Sequence, residues 1–212
     1  AGSKGVPREP ITISTIVEGR AMSVVVVSAQ DTRLVTASDA ADGFSYTLSN
    51  ALVGNPLDNA ALEVRGELEL ESRIPTLMAV TGNARVFIGG SEYRSWRALP
   101  LPPRKRARVE ALRGVAYVAL SGLRAAAAVG AGACLGVQEL NGRFDDLAAR
   151  YVPYSMLSEY LRAKSDGEAC KRLLDRILRH LRLASEMARR GAKLIRVKVG
   201  EEVYDVWVEE LR

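Results

Sequence analysis

The chain has one histidine, at position 180, and two cysteines, at 134 and 170, among 212 residues. No Cys/His cluster surrounds either cysteine, which argues against a disulfide scaffold and against a structural zinc site. His180 sits inside the helical pattern RILRHLRL and reads as a helix-flank residue, not a general base. Long apolar runs are missing too: no stretch reaches the ~20 residues that a membrane-spanning helix needs. The N-terminus shows no apolar signal-peptide segment, so the expectation is a cytoplasmic protein with no membrane partner. Glutamine is confined to Gln30 and Gln138, while Arg and Ala are abundant, a mix that fits a thermophile.

Hydrophobic residues make up 48% and charged residues 26%, a globular composition and not a disordered one. The length allows one large domain or two small ones. The opening AGSKGVPREP is small, polar and Pro/Gly-bearing, and residues 1–10 read as a disordered tail. A net charge of +5 raises the question of an anionic partner. The densest basic run, PPRKRARVEALRG, holds Arg104, Lys105, Arg106 and Arg108. Nucleic-acid binding calls for interleaved aromatics or a reader motif, and neither is there. The run reads as a solvated loop and strand edge, its charges discouraging edge-to-edge pairing.

Residues 11–29 are rich in Ile, Val, Thr and Ser and predict one or two strands. SDAADGFSYTLSNALVGNP then predicts a short helix near 40–53, capped by Ser38 or Asp39, with Asp42 in its first turn. Phe44, Leu48 and Leu52 share one face of it, Gly54 is the natural stop and Pro56 forbids continuation. From Ala60 onward AALEVRGELEL, TLMAVTG, ARVFIGG, RARVEAL and VAYVALSG are strand-like segments, suiting a β-barrel or sandwich. LRAAAAVGAGACLGV has too many glycines for a stable helix and lacks the spacing of a phosphate loop. Beyond it, SDGE at Ser165–Glu168 predicts a capping box. Behind that box, Cys170, Leu173, Leu174, Ile177, Leu178, Leu181, Ala184 and Met187 form one helical stripe that Gly191 closes. KLIRVKVGEEVYDVWVEEL alternates about Gly200 and predicts a hairpin.

Several blocks together resemble a known family. SAQDTR carries Gln30, Asp31 and Arg33 in order, and SDAADGFSYTLSN carries Ser38, Ala40, Asp42, Phe44 and Asn50. LVGNP follows, with Ala60, Ala61, Leu62 and Glu63. AVTGNA supplies Thr81 and Gly82, and WRALPLPPRKRARVEALRGVAYVALSG supplies Trp96, Gly114, Tyr117 and Gly122. Over roughly residues 20–150 these blocks resemble the carboxyltransferase family that includes the allophanate hydrolase second subunit, a 5-oxoprolinase subunit and the urea carboxylase carboxyltransferase domain. The family's LGSRST-like motif is replaced here by VGAGACL, and the loop between Asp31 and Ser38 is short. Family members are also generally longer, with a second cyclophilin-like half that this sequence does not show.

The resemblance implies a mixed α+β, β-rich fold: a cyclophilin-like β-barrel over 11–150, with a helical segment and hairpin over 151–212 packed on it. It implies a subunit of a biotin-dependent carboxyltransferase, allophanate hydrolase or 5-oxoprolinase-like complex, acting on a urea-like or cyclic amide substrate. The expected partner is a first-subunit homologue, with a homo-oligomer also compatible. Carboxybiotin or ATP would enter through partner subunits, and no covalent cofactor or metal is implied. Carried onto matching positions, Gln30, Asp31 and Asp42 are catalytic candidates, and Arg33, Asn50, Glu63 and Thr81 substrate-binding candidates.

Each of these has a structural account beside the chemical one. Asp42 suits a helix's first turn, and Asn50 can bond backbone in the following turn. Gln30 and Asp31 can shape a strand's exit, and Glu63 can be the outward residue of an alternating strand. A non-catalytic relative that kept the fold and lost the site is therefore the alternative, and a polyanion-binding protein a third.

Overall fold

The computed structural model describes residues 23–124, 129–140 and 146–209. The tail expected over 1–10, the strand material over 11–22 and the alanine run 125–128 lie outside the described residues.

Seven strands form one antiparallel sheet. In chain order they are β1 (Ser23–Val35), β2 (Ala61–Ser72), β3 (Thr76–Ile88), β4 (Ser91–Tyr93), β5 (Arg97–Leu101), β6 (Arg106–Leu120) and β7 (Cys134–Gly136). The spatial order is β4-β3-β6-β2-β1-β7, with β5 also paired to β3. The fold is thus a strand-rich mixed α+β one, and its pairings follow an open path among the described residues.

The pairings break in a line across the sheet. Register shifts fall between Gln30 and Thr32 on β1, between Val64 and Glu67 on β2, and around Gly82 and Asn83 on β3. Val64 and Gly82 both face Ala116 of β6, so the irregularities are neighbours. A bulge bends its strand and increases local twist, and aligned bulges bend a whole sheet. One face on both sides of this line feeds a single core: Leu62, Val80 and Val118 from one block, Leu68, Val86 and Val109 from the other. Two glycines make the bend sterically feasible. A Cβ on Gly66 would lie 2.7 Å from the Gln30 carbonyl oxygen, and one on Gly82 (φ 92°) 2.5 Å from that of Val115.

Among the described residues, the opposite face is covered in one block. There ALEV of β2, TLMAVT of β3 and AYVAL of β6 are buried without a break, whereas the other half of β2 alternates. The cover is helix α1 (Gly43–Val53), whose Phe44, Leu48 and Leu52 pack on Leu77, Ala79 and Ala119. Burying a side chain such as Leu48 or Leu52 contributes roughly 1.5–3 kcal/mol. Gly54 ends the helix at φ 78°, as expected. Its N-cap differs from expectation: Asp42 caps it, accepting from Phe44 and Ser45 N–H, not Ser38 or Asp39. Residues 36–41 turn instead around their own bonds, Thr36 Oγ1 donating to Asp39.

Two helices lie over α1. Helix α2 (Tyr154–Ala163) was not visible as a separate element in the sequence, because a single 10-residue amphipathic segment behind Pro153 leaves little periodicity to read. Helix α3 (Gly167–Arg189) follows the expected stripe, with Leu173, Ile177, Leu181 and Ala184 buried. Its cap is Asp166, accepting from Ala169 N–H, so the box expected from Ser165 is shifted by one residue. The hairpin, β8 (Lys193–Val199) and β9 (Glu202–Val208), forms a separate two-stranded sheet. Trp207 packs it against Ala149, Ala184 and Ala188.

The basic run needs correction. Arg106 and Arg108 do not line a sheet edge; β6 is an interior strand between β2 and β3. Arg106 pairs with Glu69 and Glu71 on β2, and Arg108 with Glu110. Two of the four charges over Arg104–Arg108, Arg106 and Arg108, are thus matched within the sheet, which halves the free positive charge they could offer a polyanion.

Candidate functional site

Pairing register brings residues from four strands into one transverse row. Arg33 of β1 faces Glu63 of β2, Glu63 faces Tyr117 of β6, and Tyr117 faces Thr81 of β3. The row lies on the covered face, under the start of α1. Glu63 was expected to point outward; its side chain has 0% exposure because α1 closes over this half of the sheet.

A buried carboxylate needs partners for its charge and its lone pairs. Glu63 Oε1 accepts from Arg33 Nε (3.0 Å), Arg33 Nη2 (2.8 Å) and Arg65 Nη2 (3.2 Å). Oε2 accepts from the Ala41 N–H (3.0 Å) and the Tyr117 hydroxyl (2.9 Å). The same hydroxyl accepts from the Asp42 N–H at 2.8 Å. Burial by itself pushes the Glu63 carboxyl up, but the bonds from Ala41, Arg33, Tyr117 and Arg65 together outweigh it and hold the group below its ordinary value. Tyr117 is pushed up to about 12, first by burial and then by the adjoining carboxylate.

Asp42 is equally committed. Oδ1 accepts from Phe44 and Ser45 N–H, and Oδ2 from the hydroxyls of Ser45 and Tyr160, each at 2.8 Å. Burial and this contact raise Tyr160 above the usual phenol range. Thr81 donates to the Ser45 carbonyl at 2.7 Å. Glu63, Tyr117 and Thr81 thus fasten three points of the helix start to the sheet.

Asn50 lies apart from the row, in the corner after α1. Its Nδ2 donates to the Asn59 carbonyl (2.7 Å), and its Oδ1 accepts from Asn55 (3.0 Å). Asn55 also donates to the Leu120 carbonyl (2.9 Å) and accepts from Gly122 N–H (2.8 Å). Asn59 donates to the Leu123 carbonyl. The LVGNP corner therefore clamps α1 to the end of β6. Gln30 and Asp31 are exposed on the bulge of β1, inside a 13-residue strand and not at its exit. Asp31 holds a φ of 46°, in the left-handed region that short polar side chains tolerate.

The structure gathers Arg33, Glu63 and Thr81 in the row, with Asp42 above it, places Asn50 at the corner, and leaves Gln30 and Asp31 on the surface. Residues missed as site members are Tyr117, Tyr160, Arg65, Asn55 and Asn59. Two carried a signal. A tyrosine inside the apolar run VAYVAL must find a partner for its hydroxyl, and Arg65, two residues after Glu63, shares its face.

Chemically, neither Glu63 in the row nor Asp42 above it has a lone pair left to take a proton from a ligand. Among the described residues, the donors around Glu63 that stay uncommitted are cationic: Arg33 Nη1, and Nε and Nη1 of Arg65, on side chains 56% and 45% exposed. These suit an oxyanion. Among the described residues no group of three or more His, Cys, Asp or Glu is placed to hold a metal ion.

An α+β domain built on a bent antiparallel sheet, with a capped helix fastened over one half, is the class this architecture defines. Within it the carboxyltransferase domain, subdomain A and B, matches residues 35–143, and the chain belongs to that family. Solved structures share the fold. The Kluyveromyces lactis urea amidolyase aligns with a TM-score of 0.50 at 17% identity, over 56% of this chain and 9% of that one. The Kluyveromyces lactis urea carboxylase gives 0.50 and 17%, over 56% of this chain and 14% of that one. The protein TTHA0988 gives 0.51 and 20%, over 65% and 33%. The chain thus spans a tenth to a third of the length of these relatives. No curated protein sequence matches it. No helix among the described residues is long and apolar enough to cross a membrane.

Proposed function

We propose that this chain is the substrate-holding part of a biotin-dependent carboxyltransferase or 5-oxoprolinase-like assembly that acts on a urea-like or cyclic amide substrate. Family membership and a fold shared with a urea carboxylase support the reaction class. The observation that carries the division of labour is the saturation of Glu63 and Asp42. A general base must be free to accept a proton from the substrate. In this reading Arg33 and Arg65 orient the substrate's oxygen or carboxylate, while a partner subunit, a first-subunit homologue, brings the proton-transfer group. The guanidinium donors fit an incoming carboxyl group; carboxybiotin, or ATP-derived activation, carried by that partner would supply it. Asn50 and Thr81 hold the frame, and Gln30 with Asp31 forms the rim where the partner would meet the chain.

The test is co-purification of partners from the source organism, followed by assays of urea carboxylation and of ATP-dependent cyclic-amide hydrolysis. The expected result is an active assembly in which Arg65→Gln raises KM about tenfold with little change in kcat. Loss of kcat in Asp31→Asn with unchanged KM would instead make Asp31 a proton-transfer group. The second reading, a non-catalytic relative, is favoured by the same saturation, since a row that only fastens a helix needs no substrate. An inactive assembly with every partner recovered would establish it.

A further inference from the structure

We infer that the groove between the Arg94–Arg97 segment and the start of α2 is a binding site for a small planar-ring compound carrying a carboxylate. The groove has a volume of about 530 Å³, and Arg94, Trp96, Arg97, Tyr151, Tyr154 and Ser155 are among its lining residues. It lies beyond the outer edge of the charged row and does not rest on the role assigned to that row.

The charge pattern comes first. Arg33, Arg85, Arg106 and Arg150 each hold a carboxylate. Arg94 and Arg97 are exposed, and among the described residues neither side chain donates to any acceptor. Among the described residues, no Asp or Glu lines the groove. Two guanidinium forks with their donors uncommitted are built for planar, bidentate oxyanions, a geometry a carboxylate matches. Helix α2 adds to this field: its cap residue is Pro153, which offers no side-chain acceptor, so the helix's N-terminal dipole is left open on the same groove.

The ring-binding part is preorganised. Trp96 holds a φ of 64°, a left-handed conformation unfavourable for a bulky residue. It is kept there by its N–H bond to the Val80 carbonyl (2.6 Å) and by the Val152 N–H on its own carbonyl (2.8 Å). Its indole meets Phe44 and Tyr160 at tilted angles, which fixes it from behind. Tyr154, 84% exposed, is the most exposed large aromatic residue of the described chain and stands in the same groove. A tryptophan locked from one side and a solvated tyrosine together offer a flat, apolar place for a ring.

The chain has two tryptophans, so Trp207→Phe leaves Trp96 as the sole tryptophan fluorophore. The full chain carrying that change is titrated with benzoate, benzamide, acetate and inorganic phosphate while Trp96 emission is followed. Benzoate is expected to give a saturable change, with each of the other three at least about tenfold weaker. The Arg94→Gln/Arg97→Gln double variant should weaken benzoate by about tenfold and leave benzamide unchanged. Tyr154→Ala should weaken both ring compounds alike, by about threefold. The Arg94, Arg97 and Tyr154 variants alter exposed side chains, and melting curves matching the Trp207→Phe parent confirm that they are folded. Acetate or phosphate binding as tightly as benzoate overturns the proposal in favour of a plain anion site. A benzoate response that never saturates, or that the double arginine variant leaves intact, overturns it outright.

Discussion

The charged row beneath α1 and the groove beside α2 both use arginine and tyrosine, yet they differ in what those residues are committed to. In the row every oxygen of Glu63 and Asp42 is bonded, and the Tyr117 hydroxyl both donates and accepts. In the groove Arg94 and Arg97 face solvent, and among the described residues no carboxylate lines it. The difference follows from burial. A polar group taken out of water must be bonded or it destabilises the fold, so the row contributes to stability and leaves nothing free for proton transfer. Groove residues lose little hydration on folding, and their donors remain available.

Removing the centre of the row should have the largest effect. Glu63→Ala leaves Arg33, Arg65, the Ala41 N–H and the Tyr117 hydroxyl without their acceptor, and should cost about 3–4 kcal/mol in denaturant unfolding. Next is Gly82→Ala, which places a Cβ against the Val115 backbone at a φ of 92°. It should cost about 2–3 kcal/mol and show whether the bend that aligns the row has any slack. Tyr117→Phe removes the links to Glu63 and to Asp42 N–H and should cost about 1–2 kcal/mol.

The row also sets a pH signature. The folded Glu63 pKa lies below its unfolded value, so its contribution is complete above about pH 4.3. It is lost as the pH falls through the lower folded value. Glu63→Gln should flatten that acid limb in a series of unfolding curves. At the other end, Tyr117 is raised to about 12, so stability should fall above about pH 10, and Tyr117→Phe should remove that part of the alkaline loss. The smallest effects belong to the groove: Arg94→Gln and Tyr154→Ala should stay within about 0.5 kcal/mol of the parent. A larger loss in either would break the contrast between the two regions.

Much of the local architecture is legible from the chain alone. Gly54 and Pro56 mark the end of α1, because a left-handed stop and a missing N–H act within a few residues. The stripe from Leu173 to Ala184 states which face of α3 is buried. The cap was misplaced because Ser38, Asp39 and Asp42 all have the right chemistry, and only the path of the preceding turn selects one. Glu63 was misjudged because alternation along β2 assumes one wet face, and α1, from an earlier part of the chain, dries it. The arginine run of β6 was read as an edge for a similar reason: strand order is not written in any one strand.

By itself, then, the sequence determined those properties whose causes are short-ranged, namely helix ends, apolar stripes, turns, and the blocks that mark the family. The tertiary structure alone decided that Arg33, Glu63, Tyr117 and Thr81 are neighbours. It also decided that Glu63 is sealed and Asp42 fully bonded while Arg94 and Arg97 stay open to solvent. The physical reason is that burial and register are collective. Each depends on which strand lies alongside and what covers the sheet, and no residue's own neighbours in the chain carry that information.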